Sequence, residues 1–144
     1  MDDEIKILLV DDEQLVRRSM EKTLTRAGFN VETANSTLAG LALFESALET
    51  EPFDLAIVDL HMPNLEAVDD PDAGLALLSK LLSIQPGLPV IVLTAFDEVG
   101  RAKDAVMRGA KAYFVKGREA GLLELVNTIL EELGENGHGA EHEA

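Results

Sequence analysis

The sequence predicts a doubly wound α/β domain, a parallel five-stranded sheet with helices on both faces. Two observations carry this. Strand-like and helix-like apolar patterns alternate along the chain in five βα units, and successive right-handed crossovers pack such units into one parallel sheet. Four of the strand-like runs also end in a polar residue: 5–10 runs into Asp11 and Asp12, 55–58 into Asp59, 90–93 into Thr94, and 112–115 into Lys116. Parallel strands covered on both faces read as unbroken Val/Ile/Leu runs. Ligands of open α/β sheets bind beyond the carboxyl ends of the strands, so these polar residues should share one edge.

The elements follow in order. The first strand spans about 5–10. Residues 13–27 carry Leu15, Val16, Met20 and Leu24 at helical spacing, and Gly28 is the candidate C-cap. Residues 29–34 alternate as a half-buried strand. Ser36 or Thr37 can cap the next helix, whose apolar face holds Leu38, Leu41, Ala42, Phe44, Ala47 and Leu48. Pro52 precedes a third strand at about 53–59. Leu75, Leu77, Leu78, Leu81 and Leu82 mark a helix over 73–83, and Pro86-Gly87 breaks the chain before a fourth strand at about 89–94. Asp97 is the expected cap of a helix over about 98–108, closed by Gly109. The fifth strand is about 112–115, and the last helix spans 119–133. Two segments stand outside this rhythm. Residues 61–72 form a long connection holding Glu66, Asp69, Asp70 and Asp72, and residues 134–144 read as an acidic flexible tail after a domain of residues 1–133. His138 and His142 have the i, i+4 spacing of helical metal ligands, but Gly137 and Gly139 argue against a helix there.

Composition narrows the function. A chain of 144 residues, 47% hydrophobic, is one domain with its own core. A formal net charge of −15 argues against non-specific nucleic-acid binding and against docking on anionic lipid. The chain has no cysteine, hence no disulfide and no thiol chemistry. The acidic start, Met1-Asp2-Asp3-Glu4, is unlike a signal peptide. No apolar run reaches the ~20 residues of a membrane span. A cytoplasmic protein is expected.

The converging residue types define a chemistry. Asp11, Asp12 and Asp59 at one edge repel one another and call for a cation. Mg²⁺, held by one or two carboxylates with waters and a phosphate, suits such a site. Each residue alone has an ordinary explanation: a turn aspartate, a capping threonine, a snorkelling lysine. Together, one set on each of four strands, they point to phosphoryl chemistry. Asp59, on the middle strand, is the candidate nucleophile, able to form an acyl phosphate. Asp12 and Asp59 would be direct metal ligands, with Asp11 direct or through water and the His61 backbone carbonyl adding an oxygen. Lys116 and Thr94 can contact the phosphoryl oxygens. Those contacts exist only with the phosphate present and can therefore drive a change of shape.

The chain closely resembles the receiver domain of two-component response regulators over about residues 4–132. The marks are Ile7-Leu8-Leu9-Val10-Asp11-Asp12-Glu13, Ile57-Val58-Asp59-Leu60-His61-Met62-Pro63, Val92-Leu93-Thr94-Ala95 and Tyr113-Phe114-Val115-Lys116. The resemblance implies a flavodoxin-like sheet in the order 2-1-3-4-5 with five helices. It implies a sensor histidine kinase or phosphotransfer protein as donor, Mg²⁺ or Mn²⁺ as cofactor, and a bacterial phosphorelay as setting. Asp59 matches the phosphoacceptor, Asp11 and Asp12 the acidic pair, Lys116 the phosphate-contacting lysine, and Thr94 and Tyr113 the switch pair. A downstream protein would then be met through the fourth helix, fifth strand and fifth helix, a face that can also serve a phosphorylation-dependent dimer. Such a domain is a signalling module that promotes its own phosphorylation and dephosphorylation, not an enzyme acting on a separate substrate.

Three departures from the family pattern stand out. Lys116 is followed by Gly117 where the family carries proline in a cis peptide, and a cis non-proline bond costs about 2.5–4 kcal/mol. Gly74, the match to the family's turn glycine, lies eleven residues after Pro63 instead of about four. His61 and Phe96 stand two residues past Asp59 and Thr94, at positions flanking the path of an attacking water. Two other functions compete. A haloacid-dehalogenase-type phosphatase needs a second acid two residues after its nucleophile, and His61 is there instead. A degenerate receiver that binds a partner without phosphorylation would not need the intact acids, Thr94 and Lys116.

Overall fold

The computed structural model describes residues 4–63, 69–70, 72–117 and 119–143. Five parallel strands form the main sheet: β1 (Lys6–Val10), β2 (Asn30–Ala34), β3 (Leu55–Asp59), β6 (Val90–Thr94) and β7 (Ala112–Val115). Their order is β2-β1-β3-β6-β7, or 2-1-3-4-5 counting this sheet alone. Between β3 and β6 the chain adds a two-stranded antiparallel hairpin, β4 (Met62–Pro63) and β5 (Asp69–Asp70). The helices are α1 (Gln14–Arg26), α2 (Thr37–Ala47), α3 (Ala73–Ile84), α4 (Val99–Met107) and α5 (Glu119–Glu143).

Alternation along the strands divides the core in two. Ile7, Leu9, Leu55, Ile57, Ile91 and Leu93 pack with Met20 and Leu24 of α1 and Leu122, Val126 and Ile129 of α5. The residues between them, Leu8, Val10, Ala56, Val58, Val90 and Val92, pack with side chains of α2, α3 and α4. Successive strand side chains point to opposite faces, so both faces must be apolar when helices cover both, which is why these runs are unbroken. A fully buried side chain of this kind contributes roughly 1.5–3 kcal/mol through burial.

The boundaries agree with the sequence pattern at most places and differ at two. Ser36 caps α2, its hydroxyl accepting from the Ala39 N–H at 3.1 Å. Asp97 does not cap a helix. Residues Phe96–Glu98 form a 3-10 turn, and α4 starts only at Val99, with Glu98 before it making no side-chain cap bond. The Thr94 hydroxyl reaches this turn, which accounts for the later start. At the other end, α5 continues past Leu133 to Glu143. Gly134 and the glycines after it each cost about 1 kcal/mol in a helix relative to alanine, which weakens a helix without ending it. The side chains of His138 and His142 lie outside the described residues.

Candidate phosphoacceptor site

Strand register brings the site together. Val10 pairs with Val58, so Asp11 and Asp59 follow on level from adjacent strands. Asp59 pairs with Leu93 and Thr94 with Val115, and the Lys116 N–H donates to the Thr94 carbonyl at 3.0 Å. Strand parity then sorts the side chains. Continuing the alternation, Asp11 follows Leu9, Asp59 follows Ile57, and Lys116 follows Phe114, all on the face covered by α1 and α5. Thr94 and Tyr113 share the parity of Val92 and face the α4 side, where Tyr113 packs half-buried against the core.

Asp59 is 2% exposed and Asp11 is fully buried. The Lys116 ammonium lies 2.8 Å from Asp59 Oδ2 and 3.2 Å from Asp11 Oδ2, and it also bonds to Glu13 Oε1. The Asp59 carboxylate further accepts from the His61 N–H at 3.2 Å, and Asp11 Oδ1 accepts from the Glu13 N–H at 2.8 Å. Burial pushes the Asp59 carboxyl up to about 7, and the neighbouring Asp11 charge adds to this, while Lys116 holds it down. Burial likewise raises Asp11, against the bonds from the Glu13 N–H and Lys116. Burial disfavours the Lys116 charge, but the bonds to Asp59 and Glu13 outweigh it and hold the ammonium protonated well above its usual range. The site thus carries excess negative charge that one ammonium only partly offsets.

Each anticipated residue has a defined place. Asp12 is exposed and lines an open cleft with Glu13, Asp59, His61, Phe96 and Lys116. The Thr94 hydroxyl, 2% exposed, directs its single proton to the carbonyls of Glu98 (3.1 Å) and Ala95 (3.2 Å), which ties it to the entry of α4. His61 is exposed, with Nδ1 3.7 Å from a Glu98 carboxylate oxygen. Of the acids in the connection, Asp72 pairs with Arg101 of α4 at 3.0 Å. Glu66 lies outside the described residues, as do the side chains of Asp69 and Asp70.

Two glycines shape the site. A Cβ on Gly74 would lie 2.4 Å from the Asp59 carbonyl oxygen and 2.4 Å from Leu60 Cα, so only glycine lets α3 come this close to the end of β3. The distant match to the family's turn glycine therefore sits directly against the end of β3 in space. Gly117 has φ +103°, and a Cβ there would meet nothing within 4 Å, so its requirement is conformational rather than spatial. Among the described residues no peptide bond is cis, and Lys116 still meets Asp59.

Sequence reasoning missed Glu13. An exposed glutamate at the mouth of a helix is ordinary, and the signal that could have found it was its adjacency to Asp11-Asp12 opposite a strand-end lysine. Oxygens of Asp11, Glu13 and Asp59 all lie within 4.8 Å of one another. Asp11 Oδ2, although fully buried, has no hydrogen-bond partner among the described residues, and the Lys116 ammonium faces it at ion-pair distance. A compact set of hard carboxylate oxygens with one buried oxygen lacking a hydrogen bond fits a small divalent cation.

A five-stranded 2-1-3-4-5 sheet with an acid cluster and a lysine at its carboxyl edge defines the class, a flavodoxin-like domain of the CheY kind. The family model for the response regulator receiver domain matches residues 7–128, and the chain belongs to that family. It is 36% identical over 122 residues to the response regulator protein FleR of Pseudomonas aeruginosa, covering 84% of this chain and 24% of that protein. It thus spans about a quarter of the length of such relatives. Among solved structures, a CheY-like receiver domain protein from Methanospirillum hungatei superposes with a TM-score of 0.76 at 29% identity, covering 92% of this chain and 98% of that one. The response regulator TrrA from Thermotoga maritima, in complex with Mg²⁺-BeF, superposes with a TM-score of 0.70 at 27% identity, covering 86% of this chain and 97% of that one. Among the described residues no helix is long and apolar enough to cross a membrane.

Proposed function

We propose that this domain accepts a phosphoryl group on Asp59 from a phosphohistidine of a sensor kinase or phosphotransfer protein, with a divalent cation, and passes the change to a partner protein. The observation that carries the reading is the Asp59 carboxylate, 2% exposed at the end of the central strand, with the Lys116 ammonium 2.8 Å away. An Asp59 oxygen attacks phosphorus, the bond from phosphorus to the donor nitrogen breaks, and the imidazole leaves with the electron pair. Lys116 holds a phosphoryl oxygen by a charge-assisted bond. Asp11, Asp12 and Asp59 would hold Mg²⁺, or Mn²⁺, with the His61 carbonyl as a further oxygen. When bound, the cation supplies neutralisation of the phosphoryl charge. The Mg²⁺-BeF complex of TrrA supports this by likeness.

Thr94 and Tyr113 carry the output. A phosphoryl oxygen that drew the Thr94 hydroxyl from the Glu98 carbonyl would release the entry of α4, and the face of α4, β7 and α5 would report the change. Moving a two-state equilibrium from 1:99 to 99:1 takes about 5.5 kcal/mol of differential contact, within reach of a few charge-assisted bonds at about 1.5–3 kcal/mol each. A downstream protein or a second copy would read that face. The closing experiment is treatment with acetyl phosphate, with and without Mg²⁺, followed by mass spectrometry. One labile adduct that requires Mg²⁺ is expected, and Asp59→Asn should abolish it. An adduct of equal yield in the variant would refute the assignment, whereas no adduct on the wild type would favour a module that binds its partner without phosphorylation.

A further inference from the structure

We propose that Glu13 is a fourth carboxylate of the divalent-cation site and that it exchanges Lys116 for the ion when the ion binds. This rests on the cation-dependent reading above. An ammonium has three protons, and those of Lys116 are directed to Asp11, Glu13 and Asp59. A phosphoryl group on Asp59 needs one of those donors. Asp11 and Asp59 are buried and fixed, Asp11 by the Glu13 N–H and Asp59 by the His61 N–H. Glu13 is the member that can travel: its side chain is 57% exposed and it stands just before the first turn of α1.

A second observation points to an ion rather than to Lys116 alone. The fully buried Asp11 Oδ2 has no hydrogen-bond partner among the described residues, although it faces the ammonium at 3.2 Å. Oxygens of Asp11, Glu13 and Asp59 share one 4.8 Å neighbourhood. A divalent ion placed among them carries twice the charge of the ammonium and repels it. Glu13, free to turn, then gains more from the ion than from Lys116, either directly or through one of the waters that Mg²⁺ keeps. Its departure frees a Lys116 proton for the incoming phosphoryl oxygen. Cation binding and phosphoryl binding are thereby coupled through one mobile side chain.

The test is calorimetric titration of Mg²⁺ into the wild type, Glu13→Gln, Lys116→Met and the double variant. Loss of one carboxylate charge at the ion should weaken Mg²⁺ about tenfold, as removing one group from a metal's ligand set or its supporting shell commonly does. The same weakening is expected in the Lys116→Met background, because the contact is with the ion. Unchanged or tighter binding by Glu13→Gln would overturn the proposal, and so would a loss seen only when Lys116 is present, since Glu13 would then act through the lysine alone. Absence of Mg²⁺ binding by the wild type would overturn the cation-dependent function itself, a result distinct from either.

Discussion

Replacing Asp59 with asparagine should make the folded protein more stable, and more so as pH rises. An acid whose pKa is raised by folding keeps its proton longer in the folded chain than in the unfolded one. Its contribution favours the folded state at low pH and is lost as pH climbs from about 4 through the folded value. For Asp59 the ordinary value is 3.8 and the folded value is about 7. Across pH 5 to pH 8 these values give a loss of about 2 to 3 kcal/mol from this one group. Asparagine has no such titration, so the gap in unfolding free energy between variant and wild type should widen by about that amount over the interval. Urea unfolding of both proteins at pH 5 and pH 8, in a chelator, measures it directly. Mg²⁺ should return much of the lost stability to the wild type by mass action and little to the variant. A gap that stays constant with pH, or narrows, would show that Asp59 is no more burdened by burial than an ordinary surface acid.

Four further outcomes follow from the same geometry. Gly74→Ala should destabilise by about 3 kcal/mol or more in urea unfolding, because the added methyl meets the Asp59 carbonyl and the Leu60 backbone rather than a movable side chain. Gly117→Ala meets no neighbour and should cost only about 1–2 kcal/mol through its positive φ, while slowing phosphorylation by acetyl phosphate through a displaced Lys116. Asp12→Ala should abolish Mg²⁺ binding in calorimetry and leave the melting temperature unchanged or higher, since Asp12 is exposed and its removal lessens repulsion. Shortening the 61–72 connection by about seven residues should speed phosphorylation by acetyl phosphate at low salt more than at high salt, because repulsion between exposed charges fades beyond ~8–10 Å at ordinary ionic strength; equal rates at both salts would remove any electrostatic role for the connection.

Much of this arrangement was legible in the residues. Strands buried on both faces are apolar along nearly all their length, with Lys6 at the opposite end of β1 an exception, so the polar residue ending each run marks the edge of the sheet, and Asp59, Thr94 and Lys116 could be placed from that rule. Parity holds more information still: counting by twos from Ile7, Leu55 and Ala112 puts Asp11, Asp59 and Lys116 on one face, and counting from Val90 puts Thr94 on the other. Glu13 was hidden because its role comes from a contact across 103 residues of sequence with an otherwise ordinary exposed position. The start of α4 was hidden for a different reason. Asp97 has the right chemistry for a cap, but the buried Thr94 hydroxyl engages the backbone of Ala95 and Glu98 and favours a tighter turn first. The last acid of the 61–72 connection, Asp72, pairs with Arg101 on α4, a contact between distant positions that the sequence pattern does not reveal.

The hairpin of β4 and β5 has a practical consequence. Met62 pairs with Asp70 and Pro63 with Asp69, so the chain leaves β3 and returns beside itself before Gly74 makes its close approach. Both ends of the excursion are pinned by backbone pairing, which separates the length of the intervening segment from the placement of α3. Lengthening a closed loop costs little, about 0.6 kcal/mol per doubling. A short epitope or fluorophore-bearing peptide grafted between Pro63 and Asp69 should therefore leave Gly74 seated on Asp59, giving an optical reporter a few residues from Asp59 in a protein that has no tryptophan and a single tyrosine.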